Sequence, residues 1–537
     1  MNEFSSRQQR FFISFDLNKE ERSLFDRFFR FLDDSGVADI IKKHEKNHSS
    51  KGGRPNVNFF NLFAAILYGF SSGCTTLREL EDACSHDIRY IDMMEQVRPS
   101  YVTISNFINN VIAPNEGVIF SLINKQIIRE LSFELDDAFV DGTKWEANAN
   151  KYKFVWKPIK YHENISVSFF KILKDNNLCI DFREEQMVRS STITKAIDVF
   201  EKEKNQFQEN QYNAIAKSLS AILVKVLEYE EKERICGANR NSYYKTDHGA
   251  TAMSLKADYY SGLGTNMHAA YNVQSLVING FVLSYYVSQS RNDIADFIPV
   301  LEYFNELYGA YPKNVCADSG YGSLENYSFL HSHGIGNYVK HQSWEGNVTG
   351  TNPETYRLLD DDTIICLNHQ TGKRVEIPYR HPKRAGGVFF KIDGCTDCPF
   401  KKYCMRWMKD IDDQTSKIFE VNIKLAELKQ EAEQNLLSLK GIEIRVNRSI
   451  QVEGVFGIEK QDYRYTRTRR RGLEKVSTEI MLMFLGLNIK RLLKYYQTGK
   501  RLSFWTAPPD LQPETFKKPS AKKLSKKGEK LRNNIYK

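Results

Sequence analysis

Apolar residues recur at helical spacing through the first quarter of the chain. Leu24, Phe25, Phe28, Phe29 and Leu32 fall on one face of a helix expected over 20–32. A second helix is expected over 57–70, stopped by Gly73, and Thr76 opens a third carrying Leu77, Leu80 and Ala83. Pro99-Ser100 starts a fourth, with Val102, Ile104 and Phe107. The period changes at Leu131. Phe139-Val140-Asp141 reads as the end of a short strand, and Trp145, Ala147 and Ala149 alternate with polar neighbours as a second strand would. Residues 157–246 are charged and helix-prone, with Ile215, Leu219, Ile222, Leu223 and Val226 on one stripe. Strand patterns return at 266–274 and 281–288, and Asn292-Asp293 is expected to cap a helix bearing Ile294, Phe297, Ile298, Leu301 and Phe304. Short strands follow at 314–317, closed by Asp318-Ser319-Gly320, and at 336–340. Helices over 445–460 and 473–496 end the pattern, the last with Val476, Ile480, Phe484 and Leu487 as its buried stripe.

Strand, strand, strand, helix, strand, with carboxylates at strand ends, suits an α/β core. The expected organisation is a helical N-terminal domain over 1–130, a mixed-sheet core over 131–340 with a helical insertion at about 157–246, and a cysteine-containing insertion over 341–440. The C-terminal part of the core occupies 441–500 and a basic tail 501–537. The helices of 1–130 suit either a DNA-binding module or a plain bundle.

Composition narrows the class. The 537 residues, 41% hydrophobic and 12% aromatic, supply several cores. Residues 1–5 mix charge into the chain start, and the apolar run at 59–70 is broken by Asn61 and is too short to span a bilayer, so a cytoplasmic protein is expected. The net charge of +9 is concentrated in two places. Residues 460–475 carry seven Lys or Arg against two carboxylates, and 517–537 carry nine against one, leaving the remainder net acidic. Such concentration reads as phosphate-binding patches, or as solvated surface and a solubilising tail.

Phosphodiester cleavage needs hard oxygen ligands converging from separate elements, because two Mg²⁺ ions about 3.5–4 Å apart activate the nucleophile and stabilise the leaving oxygen. Asp141, Asp318 and Glu453 suit that task. Taken singly, Asp141-Gly142 and Asp318-Ser319-Gly320 are also good turn sequences, and Glu453 an ordinary helical glutamate. Their surroundings decide. The stretch 139–150 (Phe-Val-Asp-Gly-Thr-Lys-Trp-Glu-Ala-Asn-Ala-Asn) resembles the first-aspartate motif of DDE-class insertion-sequence transposases of the eleven-eighty-two branch. Residues 317–323 (Ala-Asp-Ser-Gly-Tyr-Gly-Ser) resemble the second motif, and 448–457 followed by 469–476 the glutamate region. Residues 54–107 are similar to the family's N-terminal domain, so the likeness runs in order over about 50–495. The resemblance implies a ribonuclease-H-like mixed sheet with flanking helices. Asp141, Asp318 and Glu453 would hold two Mg²⁺ or Mn²⁺ ions, and the DNA partners would be terminal inverted repeats and target DNA, joined in a synapse by a homodimer in the bacterial cytoplasm, on the nucleoid.

Relatives place a lysine seven residues after the glutamate, which Lys460 fits, and an arginine four before it, where Ser449 stands. In a regular helix Arg448 points away from Glu453 and Arg445 is better aimed, so both are candidates for the phosphate contact. Gly454 and Gly457 weaken this helix by about 1 kcal/mol each; close approach of DNA or a strand accounts for them, as does a kinked helix. Tyr463 to Arg471 interleaves rings with Arg464, Arg467, Arg469, Arg470 and Arg471, a pattern suited to phosphates and stacked bases. Cys395-x-x-Cys398, Cys404 and Cys366 offer a tetrahedral Zn²⁺ set, with His369 a substitute ligand. Two rival readings stand beside this one: a nuclease with a tyrosine nucleophile, suggested by His331-Ser332-His333, and a transposase-derived DNA-binding protein without catalysis.

Overall fold

The computed structural model describes residues 17–44, 57–178, 185–255, 267–349, 353–376 and 387–508. The tail at 517–537, the chain start and Arg54-Pro55 lie outside the described residues. So do the side chains of Glu453 and Glu459, although the backbone there is described.

The central sheet is mixed. Its strands are β1 (Asp137–Glu146), then β4 (Thr251–Ser254), β5 (Met267–Ile278), β6 (Phe281–Ser288), β7 (Asn314–Ala317) and β8 (Gly336–Val339); β2 (Phe154–Trp156) and β3 (Ser242–Tyr244) form a separate two-stranded ribbon. β1 pairs antiparallel with β5 on one edge and parallel with β7 on the other, β8 continues parallel to β7, and the far edge of β5 is shared by β6 and β4. β5 and β6 are buried along nearly their whole length, as expected where helices cover both faces.

One expected turn is absent. Asp141-Gly142 does not close a strand, because β5 pairs with β1 without a break from Phe139↔Val277 to Glu146↔Ala270, so the two strands expected over 139–149 are one. Nor do Asn292-Asp293 cap the next helix. A 3₁₀ turn, Ile294–Asp296, precedes the helix Phe297–Tyr308, and the Asp293 carboxylate is taken by the side chains of Asn272 and Gln274.

Three hydrophobic cores organise the chain. The largest joins the N-terminal helices, the central sheet and the helix Leu473–Thr498, which is buried almost all round. The helices Ile159–Asp175, Ser190–Lys202 and Glu209–Cys236 form a second core around Phe169, Phe200 and Leu219. A third lies under an antiparallel five-stranded sheet spanning Tyr356–Asp360 to Ser416–Val421, so the cysteine-containing insertion is built on a folded sheet. Among the described residues no single helix is long and apolar enough to cross a membrane.

Candidate active site

Register brings the two aspartates together. The last parallel pair between β1 and β7 is Phe139↔Cys316, and Asp141 and Asp318 each follow by two residues. They therefore stand level on neighbouring strands, whose spacing is about 4.8 Å. Asp318 caps the 3₁₀ turn Ser319–Tyr321: its Oδ1 accepts from the Gly320 N–H at 2.9 Å, which leaves Oδ2 facing outward. Asp141 Oδ1 accepts from its neighbour Gly142 N–H at 2.9 Å.

Arg448 bridges them. One guanidinium nitrogen lies 3.3 Å from Asp141 Oδ1 and 3.9 Å from Asp318 Oδ2. Burial works against its charge, but Asp141, Cys316 and Asp318 outweigh that and hold its pKa above the ordinary value. A cation held between two convergent carboxylates marks the spot where positive charge is stabilised.

The segment carrying Arg448 runs over the β1 face that Asp141, Thr143 and Trp145 share by their period of two. Lys460 donates to the Thr143 hydroxyl and to the Lys144 carbonyl at 3.2 Å, and its ammonium sits 5.4 Å from the Trp145 ring centre. Phe456 meets Trp145 edge-on at 6.0 Å. The Glu453 backbone thus lies in the stretch anchored at Asp141 by Arg448 and at Thr143 by Lys460.

This stretch is not the regular helix that spacing predicts. The helix Leu439–Arg448 gives way to a π-helical turn, Ser449–Glu453, a short α-turn, Gly454–Gly457, and a second π-turn, Ile458–Asp462. Wider i→i+5 turns shift the phase of every side chain beyond them and are frequent at functional sites. Arg445, better aimed on a regular helix, instead lies over the Trp344 ring at 5.5 Å, so Arg448 is the arginine that reaches the aspartates. Among the described residues nothing crowds the two glycines: a Cβ at Gly457 would meet nothing within 4 Å, and one at Gly454 only Arg491 at 4.0 Å.

A polar network beside the site was not singled out in the sequence. Tyr321 donates to Gln274 Oε1, Gln274 Nε2 donates to Asp293 at 3.1 Å, and Asn272 Nδ2 donates to Asp293 and Asp296 at 2.8 and 3.0 Å. Burial, with Asp141, Asp293 and Asp318 nearby, pushes the Tyr321 hydroxyl well above its ordinary range, so it remains a donor. Burial also raises the Asp296 carboxyl to about 6. Gly142 completes the packing, since a Cβ there would stand 2.4 Å from Gln274 Oε1. The polar alternation along β5 was the available clue.

The arginine run is largely stitched into the protein. Arg467 donates to the Ala147 and Ala149 carbonyls at 3.0 Å, Arg469 to Thr75 at 3.4 Å, Arg470 to Asn109 at 2.8 Å and Arg471 to the Asn148 carbonyl at 2.8 Å. Arg464 is exposed. The tyrosines turn inward, against the stacking role expected of them: Tyr465 is 1% exposed, and Tyr463 packs on Gly73 and donates to the Ser71 carbonyl. His331 pairs with Glu431, and His333 packs on Phe329 and Tyr311, so each has an internal partner.

Cys366, Cys395, Cys398 and Cys404 line one small cavity of about 20 Å³. Among the described residues no three His, Cys, Asp or Glu side chains are arranged tightly enough to form a metal site as they stand. Cys404 Sγ instead accepts from Lys417 at 3.2 Å. His369 sits in the tight turn after Cys366.

Two comparisons bear on identity. A family profile described as a transposase domain (DUF772) matches residues 14–110, and one described as a transposase DDE domain matches residues 365–493. The second covers Arg448, Glu453 and Lys460, whereas Asp141 and Asp318 fall between the two matched stretches. No curated protein matches the chain. With both transposase domains present in order on one polypeptide, the chain is an insertion-sequence transposase of the DDE class, an enzyme that acts on DNA.

Proposed function

We propose that Asp141, Asp318 and Glu453 are the metal-binding triad with which this transposase cleaves the ends of its element and joins them to target DNA. The observation that carries the reading is the convergence of Asp141 and Asp318 on one cation, Arg448. Two carboxylates from adjacent strands, with a third acidic residue on the segment crossing them, are the hard-oxygen donor set that Mg²⁺ or Mn²⁺ takes. Two divalent ions, when bound, supply Lewis-acid activation of water and neutralise charge at phosphorus. The chain's own residues then orient the phosphate: Arg448 contacts it from the aspartate side and Lys460 from the Thr143 side, both fixed by packing before DNA arrives. After cleavage the freed 3′-hydroxyl attacks target DNA at the same site.

The strand order β6-β5-β1-β7-β8, with β4 also pairing the edge of β5 and with Asp141 and Asp318 on neighbouring parallel strands, supports a ribonuclease-H-like core. The N-terminal helices of 1–130 and Arg464 would add DNA contacts, the folded insertions at 157–246 and 341–440 are accessory units, and joining two ends calls for at least a homodimer. The membership in the eleven-eighty-two branch and a bacterial, nucleoid-associated setting belong to the same reading. The four thiols around one cavity suit structural Zn²⁺. Metal analysis of the purified protein should give one zinc per chain, lost in Cys398→Ser; a zinc-free, equally stable wild type would remove that role.

The deciding experiment is cleavage of labelled DNA carrying the element's ends, with Mg²⁺ or Mn²⁺. Asp141→Asn, Asp318→Asn and Glu453→Gln should bind but not cut, and Arg448→Ala should cut about 10²–10³-fold more slowly. Full activity in any of the first three disproves that residue's role, and a covalent protein–DNA adduct would point to a tyrosine nucleophile instead.

A further inference from the structure

β1 does not end at the active site. It runs on from Asp141 to Glu146, about 17 Å of extended chain, and the next strand is β2 of the two-stranded ribbon. That ribbon is held rigidly: Tyr152 N–H bonds to Asn150 Oδ1 at 2.9 Å, Lys245 N–H to the Lys153 carbonyl at 2.9 Å, and Lys157 N–H to the Asn241 carbonyl at 2.8 Å. Yet the aromatic residues of β2 and of the turn before it face solvent, while Tyr243 and Tyr244 of β3 are buried. Tyr152 is 79% exposed, Trp156 58% and Phe154 44%. Phe154 and Trp156 lie on the same face of β2 with ring centres 5.5 Å apart, and Phe154 is backed by the buried Tyr244 across the ribbon. Three large rings on a rigid surface are costly to leave in water without a partner.

Charge indicates what that partner is. Residues 150–162 and 238–246 contain Lys151, Lys153, Lys157, Lys160 and Lys245 and no carboxylate. Of the carboxylates that follow them directly, Asp247 is buried, its Oδ1 bonded to Gly249, Tyr271 and Gly472, and Glu163 is half-buried and accepts from Gln186 at 2.7 Å. Lys153, Lys160 and Lys245 are exposed, and Lys151 lies over the Tyr152 ring at 5.3 Å. Exposed rings interleaved with lysines form a stacking platform with an electrostatic track, which suits an unpaired strand: every base has a face to stack, and the phosphates follow the cations. A duplex keeps its base faces stacked inside and offers nothing to such rings.

We propose that the β2–β3 ribbon binds unpaired DNA, stacking bases on Tyr152, Phe154 and Trp156, so that a strand opened at the cleavage site is drawn along the extension of β1. This rests on the reading of the chain as a DNA-cutting enzyme, but not on the assignment of its metal ligands.

The test is fluorescence anisotropy with the full chain, in EDTA, on a blunt duplex and on the same duplex with an eight-thymidine overhang. Wild type should prefer the overhang, and Tyr152→Ala/Trp156→Ala should lose at least about tenfold on it while binding the blunt duplex within about twofold of wild type. Trp156→Phe should keep the preference, and Trp156→Lys, which adds charge and removes a ring, should lose it. A wild type without preference, or a Trp156→Lys variant that keeps it, overturns the proposal. So does a change in oligomeric state or loss of anionic-vesicle binding as the sole effect of the double variant, since the face would then serve a second protomer or a membrane. With no divalent ion present, a failure of the triad would appear only in the cleavage assay and leave this result standing.

Discussion

Arg448 and Asp296 are both drawn out of water, and each meets the cost differently. Arg448 keeps its charge because Asp141 and Asp318 face it. Asp296 is met by the hydrogen-bond donors Asn272 and Ser288, and burial raises its carboxyl above the ordinary value to about 6. An acid with a raised folded-state pKa binds its proton more tightly when folded. Its contribution to stability is therefore most favourable below about 4 and falls as pH rises through about 6. Asp296→Asn, which can still accept those hydrogen bonds, should stabilise the protein at pH 7.5 by up to about 3 kcal/mol. Chemical denaturation should show that gain shrinking as the pH approaches 4.5; a gain independent of pH would mean that the carboxylate's charge is not what costs stability. Asp141 and Asp318 were singled out in the sequence by their local motifs, although only Asp318 stands at a strand end and Asp141 lies inside β1. Asp293 and Asp296 were not, since Asp293 reads as a helix cap until the side chains of β5 are seen to claim it.

At the scale of elements, the sequence revealed which segments are helical or extended wherever burial is one-sided, as at Lys19–Asp34 and Leu77–His86. It misled where backbone geometry departs from the regular period. Two π-turns have no local signature: Ser449–Glu453 changes the phase of Glu453 relative to Arg445 and Arg448, and Ile458–Asp462 that of the residues after it. The helix Leu473–Thr498 was underestimated in another way. A four-residue stripe was expected, yet its middle is buried on every side, because it crosses Phe59–Ser72 so closely that a Cβ on Gly486 would lie 2.6 Å from the Phe70 backbone. Backbone cannot yield as a side chain tip does. Gly486→Ala should cost about 1–3 kcal/mol, the usual range for overpacking, by pushing these helices apart. Thermal unfolding measures it directly, and an unchanged midpoint would show that the crossing is looser than described.

Across the whole molecule, the arginine run shows how a charge pattern can serve the fold and the ligand at once. From sequence alone Arg464 to Arg471 is one basic patch. In the structure it divides: Arg467, Arg469, Arg470 and Arg471 tie the C-terminal segment to the end of β1 and to the N-terminal helices, Arg470 the most buried of them and the other three still exposed in part, while Arg464 stands exposed on the surface. Arg470 is the extreme case. Burial lowers its pKa, and its guanidinium bonds Asn109 while its own N–H and that of Arg469 are held by Glu479. Stability and DNA affinity should therefore separate along the run. Arg470→Ala should lower the unfolding midpoint and leave the slope of log Kd against log salt unchanged, because no phosphate contact is lost. Arg464→Ala should leave the midpoint alone and reduce that slope by about one, the signature of a single lost phosphate contact. If Arg470→Ala instead flattens the salt slope at constant stability, the run is a DNA surface after all, and its internal hydrogen bonds are what DNA displaces.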